Sequence, residues 1–149
     1  MANQDITQQD IPLGMRRTVH TTSAWLKHIA EAMGHGDKQV AYHALRGVLF
    51  AMRDRLPVEE AFDLSAQFPT LVRGIYFEGY RPSGKPETYR SRDEFLERVA
   101  RELEAVNGYS PEAATRAVFV LLNEKVSAGE IDDVRHMLPS AVRALWPEA

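Results

Sequence analysis

Four pairs of charged residues stand 70 positions apart in this sequence: Arg46 with Arg116, Glu60 with Glu130, Asp63 with Asp133, and Arg73 with Arg143. If the two halves of the chain pack about a pseudo-twofold axis, such pairs converge. A cleft lined by carboxylates or guanidinium groups can then bind a small cation or anion. In that cleft Glu60 and Glu130 are also the residues that could do acid–base work, which needs a carboxyl group held beside the reacting atom. The competing expectation is structural and carries more weight. Each arginine would pair with a carboxylate of its own half, and Glu60 and Glu130 would complement helix N-termini. No catalytic residue is assigned on this basis.

A second group of candidates lies in the linker, residues 77–90: between Tyr80 and Arg92 the cations Arg81, Lys85, Arg90 and Arg92, interleaved with Tyr80 and Tyr89, are opposed only by Glu87. Arginine offers bidentate contacts to phosphate or carboxylate, and tyrosine offers a stacking face, so the segment could grip an anionic small molecule or an acidic partner protein. The alternative is that its cations pair with the acidic second half and hold the segment down. Its glycines do not form a phosphate loop, because neither their spacing nor a Lys-Ser/Thr pair matches. Among the histidines His20, His28, His35, His43 and His136 no HExxH or other two-histidine ligand spacing occurs. No metal ligand and no cofactor is therefore assigned. There is no Gly-x-Ser-x-Gly elbow and no strand pattern to carry one.

The bulk properties narrow the partners. The chain has 149 residues, 44% of them hydrophobic and 26% charged, which suits one ordinary globular domain. A net charge of -3 disfavours nucleic acid as a ligand. Without any cysteine there are no disulfides, thiolate metal sites or cysteine nucleophiles. No run approaches the roughly 18 apolar residues of a membrane span, and the first ten residues lack the apolar core of a signal peptide. A cytoplasmic protein with no membrane contact is expected. Nothing in the sequence sets its oligomeric state.

Helical periodicity begins at Trp25, with Leu26, Ile29, Ala30 and Met33 on one face, and continues with Ala41, Leu45, Val48, Met52 and Leu56. A shorter helix follows with Ala61, Phe62 and Leu64. Pro69 then opens one with Leu71, Val72, Ile75 and Tyr76. A constant shift of 70 residues lays the second half on this pattern without a gap: Trp25 on Phe95, Ile29 on Val99, Val48 on Val118, Pro69 on Pro139, Tyr76 on Trp146. The second half also carries the clearer start signals. Ser91 with Glu94 and Ser127 with Glu130 read as capping boxes, and Ser110-Pro111 reads as an N-cap with proline at the first helical position. Starts are predicted near Arg92, Pro111 and Ala128, and by the same shift near Thr22, Ala41 or a little earlier, and Val58. The expected fold is all-α, about eight helices in two pseudo-symmetric tandem repeats of roughly 60 residues. Residues 1–20 form a poorly ordered arm and 21–149 a single helical domain: repeat one 21–76, a packed linker 77–90, repeat two 91–149.

Residues 55–61 (RLPVEEA) and 66–86 (AQFPTLVRGIYFEGYRPSGKP), together with the ending Leu138-Pro139 to Leu145-Trp146-Pro147, resemble the bacterial family of domain of unknown function 2267 over roughly residues 22–147. Phe68 stands where the family pattern leads one to expect leucine, a difference that touches packing only. The resemblance implies an all-helical bacterial protein and brings no catalytic assignment. The preferred function is a non-enzymatic interaction or small-ligand-binding module, working through the linker and the cleft between halves. The alternative is an enzyme acting on an anionic small molecule at that cleft, with Glu60 and Glu130 as its acid–base residues.

Overall fold

The computed structural model describes residues 7–148, and among them every regular element is helical. Its eight α-helices are α1 (Leu13–Ala32), α2 (Lys38–Arg55), α3 (Val58–Ser65), α4 (Thr70–Phe77), α5 (Arg92–Leu103), α6 (Pro111–Lys125), α7 (Ala128–Met137) and the single turn α8 (Ser140–Arg143). The starts of α5, α6 and α7 fall where the caps place them. Ser91 Oγ accepts from the Glu94 N–H at 3.1 Å, Ser110 Oγ from Ala113 at 3.1 Å and Ser127 Oγ from Glu130 at 3.3 Å. Each bond satisfies a helix-end donor that would otherwise lack a partner. Asp37 does the same for α2, accepting from Gln39 at 2.9 Å. α3, α4 and α8 follow Pro57, Pro69 and Pro139, whose fixed φ leads the chain into the helix.

α1 departs from expectation. It begins at Leu13, nine residues before Thr22, so residues 13–20 are helix rather than arm. Leu13, Met15 and Val19 are all exposed, and these first turns therefore carry no apolar stripe that periodicity could register. Side-chain bonds hold them instead. Arg16 Nε donates to the Ile11 carbonyl at 2.9 Å, and Thr18 Oγ1 accepts from the Leu71 N–H at 2.9 Å, capping α4 from another helix. Residues 1–6 of the expected arm lie outside the described residues.

One buried cluster runs through the whole molecule, with α2 at its centre packed on α5, α1, α6 and α4. At the crossing of α2 and α5 the backbones approach closely over Gly47. A Cβ there would stand 3.1 Å from the Val99 carbonyl oxygen and 3.3 Å from Val99 Cα. Since Val99 backbone cannot step aside locally, Gly47→Val should force the helices apart and cost about 1–3 kcal/mol, read from urea denaturation. Unchanged stability would mean the crossing is looser than described. α3 packs against α7 on the flank of this core. No helix among the described residues is long and apolar enough to cross a membrane.

Candidate functional site

Glu60 lies on the inward stripe of α3 with Ala61, Leu64 and Ser65, and is only 9% exposed. A buried carboxylate needs a partner, since desolvation penalises the charge. Its neighbour across the seam is Glu130 of α7, half-buried beside the buried Ile131 and Val134. Oxygens of Glu60, Glu130 and Asp133 all lie within 4.8 Å of one another. Among the described residues, no lysine, arginine or histidine forms an ion pair with any of them or with nearby Asp63. The site is thus a small pocket of uncompensated negative charge between two helices. Burial pushes the Glu130 carboxyl up to about 8, helped by a hydrogen bond with Glu60 and by the charges of Glu60, Asp63 and Asp133. A hydrogen bond between two carboxyl groups requires one of them to carry the proton.

The capping box expected from Ser127 and Glu130 forms only by half. Ser127 Oγ accepts from the Glu130 N–H, but the Ser127 N–H donates to Gln67 Oε1 at 3.2 Å, from the end of α3. Gln67 thereby takes the role expected of the Glu130 side chain, and the carboxylate is free to turn toward Glu60. Tyr76 of α4 is fully buried and its hydroxyl has no hydrogen-bond partner. Burial raises its ionisation well above the ordinary range; Tyr80 adds to the shift, Arg53 opposes it, and Glu130 and Glu60 contribute smaller pushes upward. One oxygen each of Glu60 and Glu130 is likewise buried and without a hydrogen-bond partner.

Neither arginine pair converges. Arg46 Nε meets Glu102 at 2.7 Å and its Nη1 meets Glu78 at 2.7 Å, while Arg116 pairs with Glu112 at 3.4 Å. Arg73 and Arg143 bind carbonyls. Arg73 donates to Ser65 at 3.0 Å and Phe68 at 3.3 Å, and Arg143 to Arg135 at 2.8 Å and Leu138 at 3.2 Å.

The linker residues are spread over several environments. Tyr89 is buried and its hydroxyl donates to the Ala51 carbonyl at 2.8 Å. Lys85 stands 3.9 Å from both Asp54 and Glu87. Tyr80 packs on Phe62 and Phe77. Arg81 and Arg90 are exposed, and neither has an ion pair among the described residues. Lys85 finds one of its partners, Asp54, in the first half rather than the acidic second half. Two histidines meet acids, His43 with Glu102 at 3.0 Å and His28 with Glu124 at 3.6 Å. Among the described residues neither belongs to a group of three potential metal ligands.

Four surface hollows of about 240 to 360 Å³ are lined by none of Glu60, Glu130 or Asp133. One of about 270 Å³ lies between α2 and α5 beside the linker, and its Arg53, Asp54, Glu87 and Arg98 already bond to one another or to backbone.

Fold and site together define an all-helical protein with an acidic seam between two of its helices. The chain belongs to the family described as uncharacterized conserved protein (DUF2267), which it matches over residues 22–145. The match begins at Thr22, so the first nine residues of α1 precede it. No curated protein matches the chain.

Proposed function

We propose that this chain is a non-enzymatic binding module built from two copies of one four-helix unit, and that it takes up a small cation where equivalent helices of the copies meet, between α3 and α7. The observation that carries the reading is the convergence of Glu60 and Glu130 without a cationic side chain beside them. Duplication is supported by more than the register of apolar residues. Arg73 and Arg143, 70 positions apart, reach carbonyls that are themselves 70 apart, Ser65 with Arg135 and Phe68 with Leu138. Two short helices each ended by an arginine clamp are the same local solution written twice.

An acid–base enzyme at the same pair would need room for a substrate beside it, and none of the four hollows described above is lined by the pair. A compact ion needs no such room. The linker supports a second, weaker reading as a dock for an acidic partner, because Arg81 and Arg90 stand exposed without ion pairs. Charge reversal at both positions should then abolish any partner contact that weakens with salt.

The primary reading is tested by thermal unfolding of chelator-stripped protein with monovalent ions, divalent metals and organic amines in turn. At 100 times its dissociation constant a ligand adds about 2.7 kcal/mol. At least one cation should stabilise the natural protein and leave a Glu60→Gln/Glu130→Gln double variant unmoved. Equal shifts in both proteins, or none in either, would refute the seam as the binding site.

A further inference from the structure

The geometry points to a divalent metal ion of about the size of calcium, held by Glu60, Glu130 and Asp133 so that it ties α3 of the first half to α7 of the second. This rests on the cation-binding reading above and narrows it to one chemical class.

Three features select the class. The donors are carboxylate oxygens only, and the chain has no cysteine and no histidine in the group, which disfavours zinc and other nitrogen- or sulfur-seeking metals. The setting favours calcium among the hard ions. The three oxygens lie within 4.8 Å of one another, close enough to share one ion, and they come from two helices with one carboxylate buried and one half-buried. Magnesium dehydrates reluctantly and demands near-ideal octahedral geometry, whereas calcium accepts irregular sets of carboxylate oxygens. The third feature is an unmet polar group at the seam. Glu60 is nine-tenths buried and one of its oxygens has no hydrogen-bond partner, as is true of one Glu130 oxygen. A bound ion or its inner water gives those oxygens something to face. The short exposed side chain of Asp133 leaves the outer positions to water, so the affinity should sit in the weak range of sites with few protein ligands, about 10⁻⁴ to 10⁻³ M.

Terbium, a calcium mimic excited through nearby aromatic rings, gives a readout separate from stability. Full-length protein is titrated with terbium, then with calcium and magnesium as competitors, and amines are run alongside by thermal shift. The expected result is sensitised emission that calcium displaces at least fivefold more effectively than magnesium. Asp133→Asn, an exposed change that leaves the fold intact, should weaken terbium at least fivefold, and Glu60→Gln at least tenfold. Tyr76→Phe should dim the emission. Absence of saturable emission, or emission unaltered in Asp133→Asn and Glu60→Gln, would overturn the metal. If an amine then stabilises the natural protein but not the double variant, the metal is lost and the cation module stands. If neither metal nor amine acts, both fall.

Discussion

Arg53→Met is expected to lower stability by roughly 2–4 kcal/mol, because it strands one buried and one part-buried carbonyl at once. The Arg53 guanidinium is 6% exposed and donates from Nη1 to the Tyr76 carbonyl at 2.7 Å and the Glu78 carbonyl at 2.6 Å. Its Nε meets Asp54 at 3.2 Å, and the plane lies 4.2 Å from the Phe50 ring centre and 5.5 Å from that of Tyr80. Methionine fills much of the volume but supplies no donor, so the end of α4 and the start of the linker lose their anchor. Arg53→Lys should recover only part of the loss, since an ammonium lacks the planar fork that holds several acceptors while stacking on rings. Urea denaturation measures both variants. A loss below about 1 kcal/mol for methionine would mean water replaces the guanidinium readily.

Stability of the cation-free protein should fall as pH rises from about 4.5 to 8. Glu130 titrates at about 8 in the folded chain against an ordinary 4.5, so the folded state holds its proton more tightly than the unfolded state does. Such a group contributes its full share below the unfolded value and loses it as pH climbs through the folded one. Half-exposure screens the effect, and about 1–2 kcal/mol is expected between pH 5 and 9, a drop of roughly 3–6 °C in Tm. Glu130→Gln keeps a donor toward Glu60 at every pH, so the variant should be the more stable protein at pH 9 and nearly flat over the range. Parallel pH curves for variant and natural protein would place the proton elsewhere.

Features set by neighbouring residues can be read from the sequence alone; those set by distant segments cannot. Ser91, Ser110 and Ser127 mark helix starts because a cap is a local bargain between a side chain and its own backbone. The 70-residue register brings Glu60 and Glu130 into one hypothesis, since helices related by a duplication would meet at equivalent faces. The missed features depend on contacts between distant segments. Nothing in α1 before Thr22 signals a helix, since its stabilising bonds run to Ile11 and to Leu71. Phe62 and Leu71 fit the apolar periodicity of α3 and α4 yet are 50% and 39% exposed, because helices of eight residues bury only a narrow face. Phe62 stacks instead on Phe77, at 4.9 Å between ring centres. Arg53 has no marker of its role either: the residue 70 positions on is Asn123, which is exposed. Metal-ligand spacing is invisible because the three carboxylates come from two helices in different halves.

The most direct test of the binding seam is equilibrium dialysis of chelator-stripped protein against one cation at a time, calcium first, counting ions bound per chain. The account predicts about one saturable equivalent on the natural protein and none on the folded Glu60→Gln/Glu130→Gln variant. Equal binding by the two, or no saturable binding of any cation to the natural protein, would contradict it.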